Sequence, residues 1–256
     1  MDPFRSDSPE VLTTEEWRVL VHDEPTAAAQ MAFDERLAAE GVPTLRLFQW
    51  RAPALSFGFR QRPPEWIDPS RCAAQGVELV ERPTGGGLAV HGTDLSCSVV
   101  IPRKPGGSLN RAMSGICDTF AQACRSCNVF VEWNVETRGT SRVEYCLTDV
   151  SPYALMVGSR PSTSLRTTLG DPPKIVGGES KGRKLGGFAI RAYAASWLIQ
   201  GSLLIRPMPE AIRRIMPKSV QLDYDTRAMC LEEAAGGEIG IRHLQEALVS
   251  SWCLTP

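Results

Sequence analysis

The sequence predicts an α+β fold with a mixed β-sheet core flanked by helices. Strand-like stretches follow one another in runs, and helical patterns stand at separated places instead of alternating strictly with the strands. The chain has 256 residues, which is enough for one substantial hydrophobic core. We therefore expect an N-terminal tail over residues 1–14 and a single domain over residues 15–256, with a long loop at 158–183.

The N-terminal part of the chain shows one strand, one helix and two further strands. Branched and aromatic residues predict a strand over 17–23, "WRVLVHD". A helix follows over 25–41, because proline is favoured at helix starts and glycine just past helix ends. The stretches 44–50 and 54–59 show a strand-like alternation of side chains and are rich in aromatic or branched residues. A short proline-containing turn separates them, so we expect them to pair as a β-hairpin.

The later elements follow from the same periodicities. The stretch "LNRAMSGICDTFAQACRSCNVF" predicts a helix with small and apolar residues on one face. The expected strands are "VELVER", "LSCSVVIP", "NVFVEW", "YALMV" and "SWLIQGSLLI", and the expected C-terminal helices are 208–216, 227–235 and 239–253. The loop at 158–183 is rich in Gly, Ser, Thr and Pro, so it is either a tolerated insertion or a mobile lid or partner-docking loop.

Composition and charge argue against several classes of function. The net charge is −1, so nothing favours binding to nucleic acid or to an anionic membrane. No apolar run reaches the roughly 18 residues that a membrane span requires, and the N-terminus lacks the basic-then-apolar pattern of a signal peptide. We therefore expect a cytoplasmic protein with no nucleic-acid or membrane partner.

Eight cysteines are too sparse for a secreted disulfide scaffold of this length, so we expect free thiols. Cys124 and Cys127 have CxxC spacing, and Cys117 lies upstream. A zinc site requires four ligands, however, and no second CxxC or histidine pair follows. Buried structural thiols are favoured over a metal or redox site, and we expect no metal.

Three consecutive glycines, Gly85, Gly86 and Gly87, interrupt the strand-like stretch "ERPTGGGLAVHGTDLSCSVVIP". Glycine weakens a strand unless the chain needs a positive φ or something must approach the main chain closely. Successive backbone N–H groups without side chains form a concavity that accepts a carbonyl, carboxylate or phosphate oxygen. The alternative is a glycine-filled β-bulge that binds nothing.

Four segments, in order, resemble the superfamily of lipoate-protein ligases, octanoyltransferases and biotin-protein ligases. They are "MAFDERL", "LRLFQWRAPALSFGFRQ", "ERPTGGGLAVHGTDLSCSVVIP" and "GRKLGGFAIRAYAASWLIQGSLLI". The third is similar to the family's Arg-Arg-Pro-Thr-Gly-Gly segment with its following histidine. The fourth is similar to its lysine- and glycine-containing segment before a strand that ends in His-Gly-Ser. The resemblance covers about residues 15–250 and implies a fold like that of the biotin/lipoate ligase catalytic domain.

The resemblance also implies a pocket for a lipoyl or octanoyl tail. Lys184 stands at the family's distance before "WLIQGSLLI", whereas the nearby Lys174 and Lys181 do not. A fixed ammonium beside an acyl carbonyl stabilises the oxyanion that forms when a thioester is attacked. The implied substrate-binding residues are Arg82, Thr84, Gly85, Gly86, Gly87, His91, Gly187 and Ala189.

Cys146 is the implied nucleophile. In "YCLTDVSPYALMV" it resembles the cysteine segment of bacterial cysteine octanoyltransferases, whereas ligases of the family commonly carry Arg-Asn-Asp there. A thiolate divides one acyl transfer into two easier steps. The alternative is a buried structural thiol. His91 could polarise the site, order the glycine loop or be a satisfied core histidine, and Asp94 could orient a neighbour or end the turn.

The resemblance therefore implies a cysteine-dependent acyltransferase of protein lipoylation. It would move an octanoyl or lipoyl group from acyl carrier protein to a lysine of a lipoyl domain or glycine-cleavage H protein, without a cofactor. One alternative is a lipoate-protein ligase that uses ATP and Mg and could need an accessory chain. Another is a non-catalytic member that binds acylated carrier protein. Glu81 and Gln200 depart from the family's arginine and histidine, and Gly87 replaces a residue that is often larger.

Overall fold

The computed structural model describes residues 10–13, 17–133, 145–146, 148–149, 151–157 and 182–252. Its strands are β1 Glu10–Thr13, β2 Arg18–Val21, β3 Thr44–Phe48, β4 Ala54–Phe57, β5 Glu78–Glu81, β6 Ala89–His91, β7 Asp94–Pro102, β8 Val131–Trp133, β9 Leu155–Val157, β10 Arg183–Ala192 and β11 Ser196–Leu204. Its helices are α1 Ala27–Glu40, α2 Pro69–Ala74, α3 Leu109–Ser126, α4 Glu210–Ile215, α5 Lys218–Arg227, α6 Leu231–Ala235 and α7 Ile241–Ser250. The α+β class predicted from the sequence is confirmed.

The larger of two sheets has eight strands in the order β1-β2-β3-β7-β11-β10-β9-β8. It is mixed, because β2 and β3 run parallel while the other neighbours run antiparallel. Strands β7 and β11 pair along their full length at its centre. Both faces of this central strand are covered, so eight of the nine residues of β7 are buried, including the polar Asp94, Ser96 and Ser98.

A separate three-stranded sheet has the order β5-β4-β6. The hairpin predicted for 44–50 and 54–59 is therefore wrong: β3 pairs with β2 and β7, whereas β4 pairs with β5 and β6. All five residues of β3 are buried, and both of its edges are paired, one with β2 and the other with β7. The chain changes sheets between Gln49, whose amide donates to Asp23, and Pro53, whose carbonyl accepts from Glu78.

The two long helices lie where the sequence predicts them. Thr26 caps α1 by accepting from the amide of Ala29, and Gly41 ends it in the left-handed region at φ 67°. Helix α3 buries its small and apolar face, including Cys117 and Cys124, in the main core. Within the described ranges, no helix is both long and apolar enough to cross a membrane.

The C-terminal region contains four helices instead of the three predicted. The additional helix is α5, of whose ten residues only Gln221 and Tyr224 are buried, so its sequence carries little amphipathic signal. In α7 the predicted apolar face is buried through Leu244 and Leu248. Just after α7, Trp252 packs edge-on against Trp17 with ring centroids 5.2 Å apart.

Two predicted boundaries differ from the observed elements. The range 1–14 expected to be a tail includes β1, which pairs with β2 at the edge of the large sheet. Most of the loop expected at 158–183 lies outside the described residues, and Arg183 already begins β10. The sequence indicated no strand over β10, because Gly186 and Gly187 weaken the strand signal. Its register against β9 shifts between Lys184 and Gly186.

Candidate active site

A cavity of about 480 Å³, including its open mouth, lies between the large and the small sheet. Its wall is mostly apolar, with a few polar groups. The lining residues are Met31, Phe48, Trp50, Ser56, Arg82, Ala89, His91, Ser96, Cys97, Cys146, Gly187, Phe188, Ala189, Gln200, Gly201 and Ser202.

The apolar part of the cavity depends on a glycine in β11. A Cβ built at Gly201 would lie 2.5 Å from the ring of Phe188 and 2.8 Å from the sulfur of Cys97, so only glycine fits beside them. Trp50 contributes its ring and satisfies its indole N–H by donating to Ser96 Oγ at 2.9 Å. The space kept open in this way is suited to an apolar chain rather than to a charged group.

The glycine loop follows β5 and wraps around the guanidinium of Arg82. Nη2 of Arg82 donates to the carbonyls of Gly85 at 2.7 Å and Gly87 at 2.8 Å. Gly86 has φ 91°, which glycine adopts without strain. Gly58 lies against this loop, because a Cβ there would come within 2.1 Å of the Gly86 carbonyl oxygen. The loop is a closely packed turn, and the amide cradle expected from the sequence stays a prediction.

Cys146 lies in this cavity beside the glycine loop. Its amide donates to the carbonyl of Leu88 at 2.8 Å, which brings the segment against the end of the loop. Its side chain is half-buried, and its sulfur lies 3.8 Å from Nη2 of Arg82. A Cβ at Gly86 would come within 3.4 Å of the sulfur, so the glycine leaves room for it. The thiol lines the cavity and is not enclosed in the packed core.

Lys184 lies behind Cys146, not in the cavity wall. Its ammonium is buried and donates to the carbonyls of Cys146 at 2.5 Å and Asp149 at 2.7 Å. Burial lowers the pKa of Lys184, and the charges of Cys146 and Asp149 oppose that change. Gly187 provides the space, because a Cβ there would lie 3.3 Å from Nζ. Lys184 thus holds the 146–149 segment in place through its main chain.

His91 and Asp94 form a buried pair under the loop. His91 Nδ1 lies 2.9 Å from Asp94 Oδ2, Nε2 lies 2.8 Å from Ser56 Oγ, and the ring stacks on Trp50 at 4.1 Å. Burial would raise the pKa of Asp94, but the charge of His91 and hydrogen bonds from His91, Ser202 and Ser96 lower it overall. Both ring nitrogens are engaged by buried side chains, so the geometry is that of a core histidine whose hydrogen bonds are satisfied.

Two other predicted residues complete the picture of the site. Thr84 is fully buried, and its hydroxyl donates to Gln200 Oε1 at 2.7 Å. Ala189 lines the cavity from β10, opposite Gln200 on β11. The structure therefore brings Cys146 and all eight predicted substrate-binding residues into the cavity wall or the loop beside it.

Five of the other described cysteines are buried, whereas Cys127 is half-buried like Cys146. Burial raises the pKa of Cys97, Cys117 and Cys124, so these thiols are poor nucleophiles. All seven cysteines in the described ranges are free. No group of three or more His, Cys, Asp or Glu residues is placed to hold a metal ion in the part of the chain that the structure describes. The buried-thiol interpretation of Cys117 and Cys124 thus agrees with their positions.

Comparison with known proteins identifies the family. The model of the lipoyl protein ligase A/B catalytic domain matches residues 24–252. The chain belongs to this family. Among solved structures, lipoate-protein ligase A bound with ATP has a TM-score of 0.67 and 16% identity, covering 93% of this chain and 84% of that one. A bipartite lipoate protein ligase from Thermoplasma acidophilum has a TM-score of 0.64 and 16% identity, covering 93% and 82%. At this identity the likeness shows the fold.

Several sequence relatives carry the name octanoyltransferase LipM. The protein from Kyrpidia tusciae is 27% identical over 252 residues, which cover 92% of this chain and 85% of that protein. The Carboxydothermus hydrogenoformans protein is 42% identical over 91 residues, 34% of each chain. The Exiguobacterium sibiricum protein is 30% identical over 160 residues, 57% of this chain and 58% of that protein. For these last two, the matched region spans less than two thirds of the relative.

This member of the lipoyl protein ligase A/B family has a polar network that the sequence analysis did not identify. Asp34 and Arg46, both fully buried, form an ion pair at 2.7 Å. Asp34 also accepts from Ser98 and, at 2.6 Å, from the amide of Gln200, whose carbonyl accepts from Thr84. The network therefore connects the glycine loop to the core. One signal was available, because Asp34 lies on the same apolar face of α1 as Met31 and Leu37.

Proposed function

We propose that the chain transfers an octanoyl group to a lysine of a lipoyl domain through a thioester on Cys146. The observation that carries the proposal is the position of the Cys146 thiol, half-buried in an apolar cavity with a guanidinium 3.8 Å from its sulfur. A thiolate in electropositive, partly exposed surroundings is the form in which cysteine acts as a nucleophile. Relatives named octanoyltransferase support the acyl group and the reaction.

The reaction takes two balanced steps. The Cys146 thiolate attacks the carbonyl carbon of an octanoyl thioester, a new C–S bond forms, and the donor thiol leaves after taking up a proton. A neutral lysine amine of the acceptor then attacks the acyl-enzyme carbonyl. The amide forms, the amine loses a proton, and Cys146 leaves as thiolate. Octanoyl-acyl carrier protein is the proposed donor, and the proposed acceptors are lipoyl domains and the glycine-cleavage H protein.

The geometry assigns different tasks to the surrounding groups. The apolar wall formed by Phe48, Trp50 and Phe188 accommodates the octanoyl tail and keeps water away from it. Lys184 fixes the main chain of the nucleophile, because its ammonium donates to the Cys146 carbonyl. A contribution to oxyanion stabilisation, as the resemblance implies, remains part of the proposal. The proposal requires no metal or cofactor and retains a cytoplasmic location.

Incubation with octanoyl-acyl carrier protein and intact-mass measurement tests the proposal. We expect an adduct of one octanoyl group that is absent in Cys146→Ala. The adduct should persist in Cys127→Ala, which removes another half-buried thiol, and in Cys117→Ala, which removes a buried one. Addition of a lipoyl domain should then discharge the adduct. An adduct that survives Cys146→Ala contradicts the mechanism.

The same preparation distinguishes the alternatives. A lipoate-protein ligase would release pyrophosphate from ATP and Mg in the presence of lipoate, and Cys146→Ser would retain that activity. A non-catalytic member would bind octanoyl-acyl carrier protein without acylation or turnover. Either result would replace the transferase assignment, because the proposed chemistry passes through the sulfur.

A further inference from the structure

Two cations flank Cys146, and they contact different atoms of it. Lys184 Nζ donates to the main-chain carbonyl, whereas Arg82 Nη2 lies 3.8 Å from the sulfur. Resting on the proposed function, we propose that Arg82 is the catalytic cation that stabilises the Cys146 thiolate, and that His91 positions it through Ser56. Arg82 is then more than a wall of the acyl pocket.

The guanidinium of Arg82 is held rigidly. Nη2 donates to the carbonyls of Gly85 and Gly87, and Nη1 donates to the carbonyl of Ser56 at 3.1 Å and to its hydroxyl at 3.2 Å. The side chain is only 6% exposed, so water cannot screen its charge well. A planar guanidinium fixed at both terminal nitrogens has little freedom to move away from the sulfur.

The charge of Arg82 is not neutralised by a carboxylate. All four of these hydrogen bonds go to carbonyl or hydroxyl oxygens, and none of the ion pairs found among the described residues includes Arg82. Burial lowers the pKa of Arg82, and the charge of Cys146 raises it. Arginine nevertheless stays protonated in proteins. A positive charge in this position favours a thiolate over a thiol at Cys146.

A chain of hydrogen bonds extends from Arg82 to Asp94. Ser56 Oγ accepts from Arg82 Nη1 at 3.2 Å and lies 2.8 Å from His91 Nε2. His91 Nδ1 in turn lies 2.9 Å from Asp94 Oδ2, so the imidazole joins Ser56 to a buried carboxylate. Stacking on Trp50 fixes the plane of the ring. His91 is therefore a positioning residue, since its ring nitrogens contact Ser56 and Asp94 and not the sulfur.

Arg82 would act in both halves of the reaction without changing its own bonds. It stabilises the thiolate that attacks the donor thioester, and it stabilises the same thiolate when the acceptor amine displaces it. Lys184 does not duplicate this task, because its described contacts are with main-chain oxygens at 146 and 149.

The test measures the reactivity of Cys146 without any acyl donor. Mass spectrometry follows the rate at which iodoacetamide alkylates each cysteine at pH 7. Because iodoacetamide is uncharged, this rate depends on the thiolate fraction and not on electrostatic attraction of the reagent. We expect Arg82→Met to slow alkylation of Cys146 about tenfold and Arg82→Lys to slow it less. The half-buried Cys127 serves as an internal reference. Arg62→Met, which removes an exposed arginine, should have no effect.

Two checks keep the result interpretable. The buried Cys117 should stay unreactive in every variant, which shows that the fold is intact. If Arg82→Met does not fold, Arg82→Lys and Ser56→Ala carry the test. An unchanged rate at Cys146 in a folded Arg82→Met protein overturns the role of Arg82.

A double-mutant cycle tests the role of His91. We expect His91→Ala and Ser56→Ala each to slow alkylation of Cys146 severalfold, and to add almost nothing in the Arg82→Met background. Equal effects in both backgrounds overturn the claim that His91 acts through Arg82. Because the assay contains no octanoyl donor, failure of octanoyl transfer alone would refute the proposed function and not this inference.

Discussion

Replacement of Lys184 by methionine tests how the site is held together. The ammonium donates to the carbonyls of Cys146 and Asp149 at 2.5 and 2.7 Å, and methionine leaves both oxygens without this donor. Hydrogen bonds from a charged donor contribute about 1.5–3 kcal/mol each. Desolvation of the ammonium, which lowers the pKa of Lys184, offsets part of the stabilisation from these two hydrogen bonds. We therefore expect Lys184→Met to lower the free energy of unfolding by about 2–4 kcal/mol.

Urea denaturation at pH 7 measures this loss, and amide hydrogen exchange locates it. Exchange should accelerate at Cys146, whose amide donates to Leu88, because the segment is no longer held from behind. Lys218→Met is the matched control, since Lys218 is exposed, and we expect it to change stability by less than about 0.5 kcal/mol. A Lys184→Met protein as stable as the unmodified chain, with unchanged exchange at 146, would refute the reasoning.

The pH dependence of the same variant gives a second measure. The pKa of Lys184 is below its ordinary value of 10.5, so between the two values the unfolded chain binds more protons than the folded one. Stability contributed by this group therefore rises with pH in that window. The difference in unfolding free energy between the unmodified chain and Lys184→Met should grow as pH approaches 10.5.

Three further substitutions test the cavity and its support. Because the pKa of Asp94 is lowered, its carboxylate contributes stability that is present above pH 3.8 and lost as the pH falls through the pKa of the folded state. In denaturant titrations, Asp94→Asn should therefore lose less unfolding free energy on acidification than the unmodified chain does. Gly201→Ala places a Cβ 2.5 Å from the Phe188 ring, and we expect it to lower the free energy of unfolding by about 1–3 kcal/mol. It should reduce kcat/KM more for octanoyl donors than for butanoyl donors, and equal reductions for both donors would contradict the cavity assignment. Gln200→Leu removes a donor to Asp34 and should lower the free energy of unfolding by about 1–3 kcal/mol. The melting temperature should therefore fall more than it does after the same change at an exposed glutamine.

Much of the site could be predicted because it is encoded in short, ordered segments. The glycine loop with Arg82 and the cysteine segment around Cys146 are each identifiable without knowing what they contact. Local chemistry was equally informative for α1, where the cap residues and the apolar periodicity agree with the helix observed. These features depend on a few consecutive residues, so the sequence alone carries them.

Tertiary structure decided which residues meet. The hairpin expected for 44–50 and 54–59 does not form, because β3 pairs with β7, about fifty residues later in the chain. Strand pairing depends on burial against residues that are distant in sequence. The Asp34–Arg46 pair and its bond to Gln200 join positions far apart in the chain.

The same limit applies to the chemistry of the two cations. Sequence register identified Lys184 as the cation beside the reacting carbonyl, and the resemblance implied Arg82 as a substrate-binding residue. Neither could show that Lys184 contacts a main-chain oxygen and Arg82 the sulfur. That distinction depends on ångström distances set by packing between two sheets. Sequence alone determined the fold class, the family resemblance and the candidate nucleophile. Which atom of Cys146 each cation contacts was decided only by the folded chain.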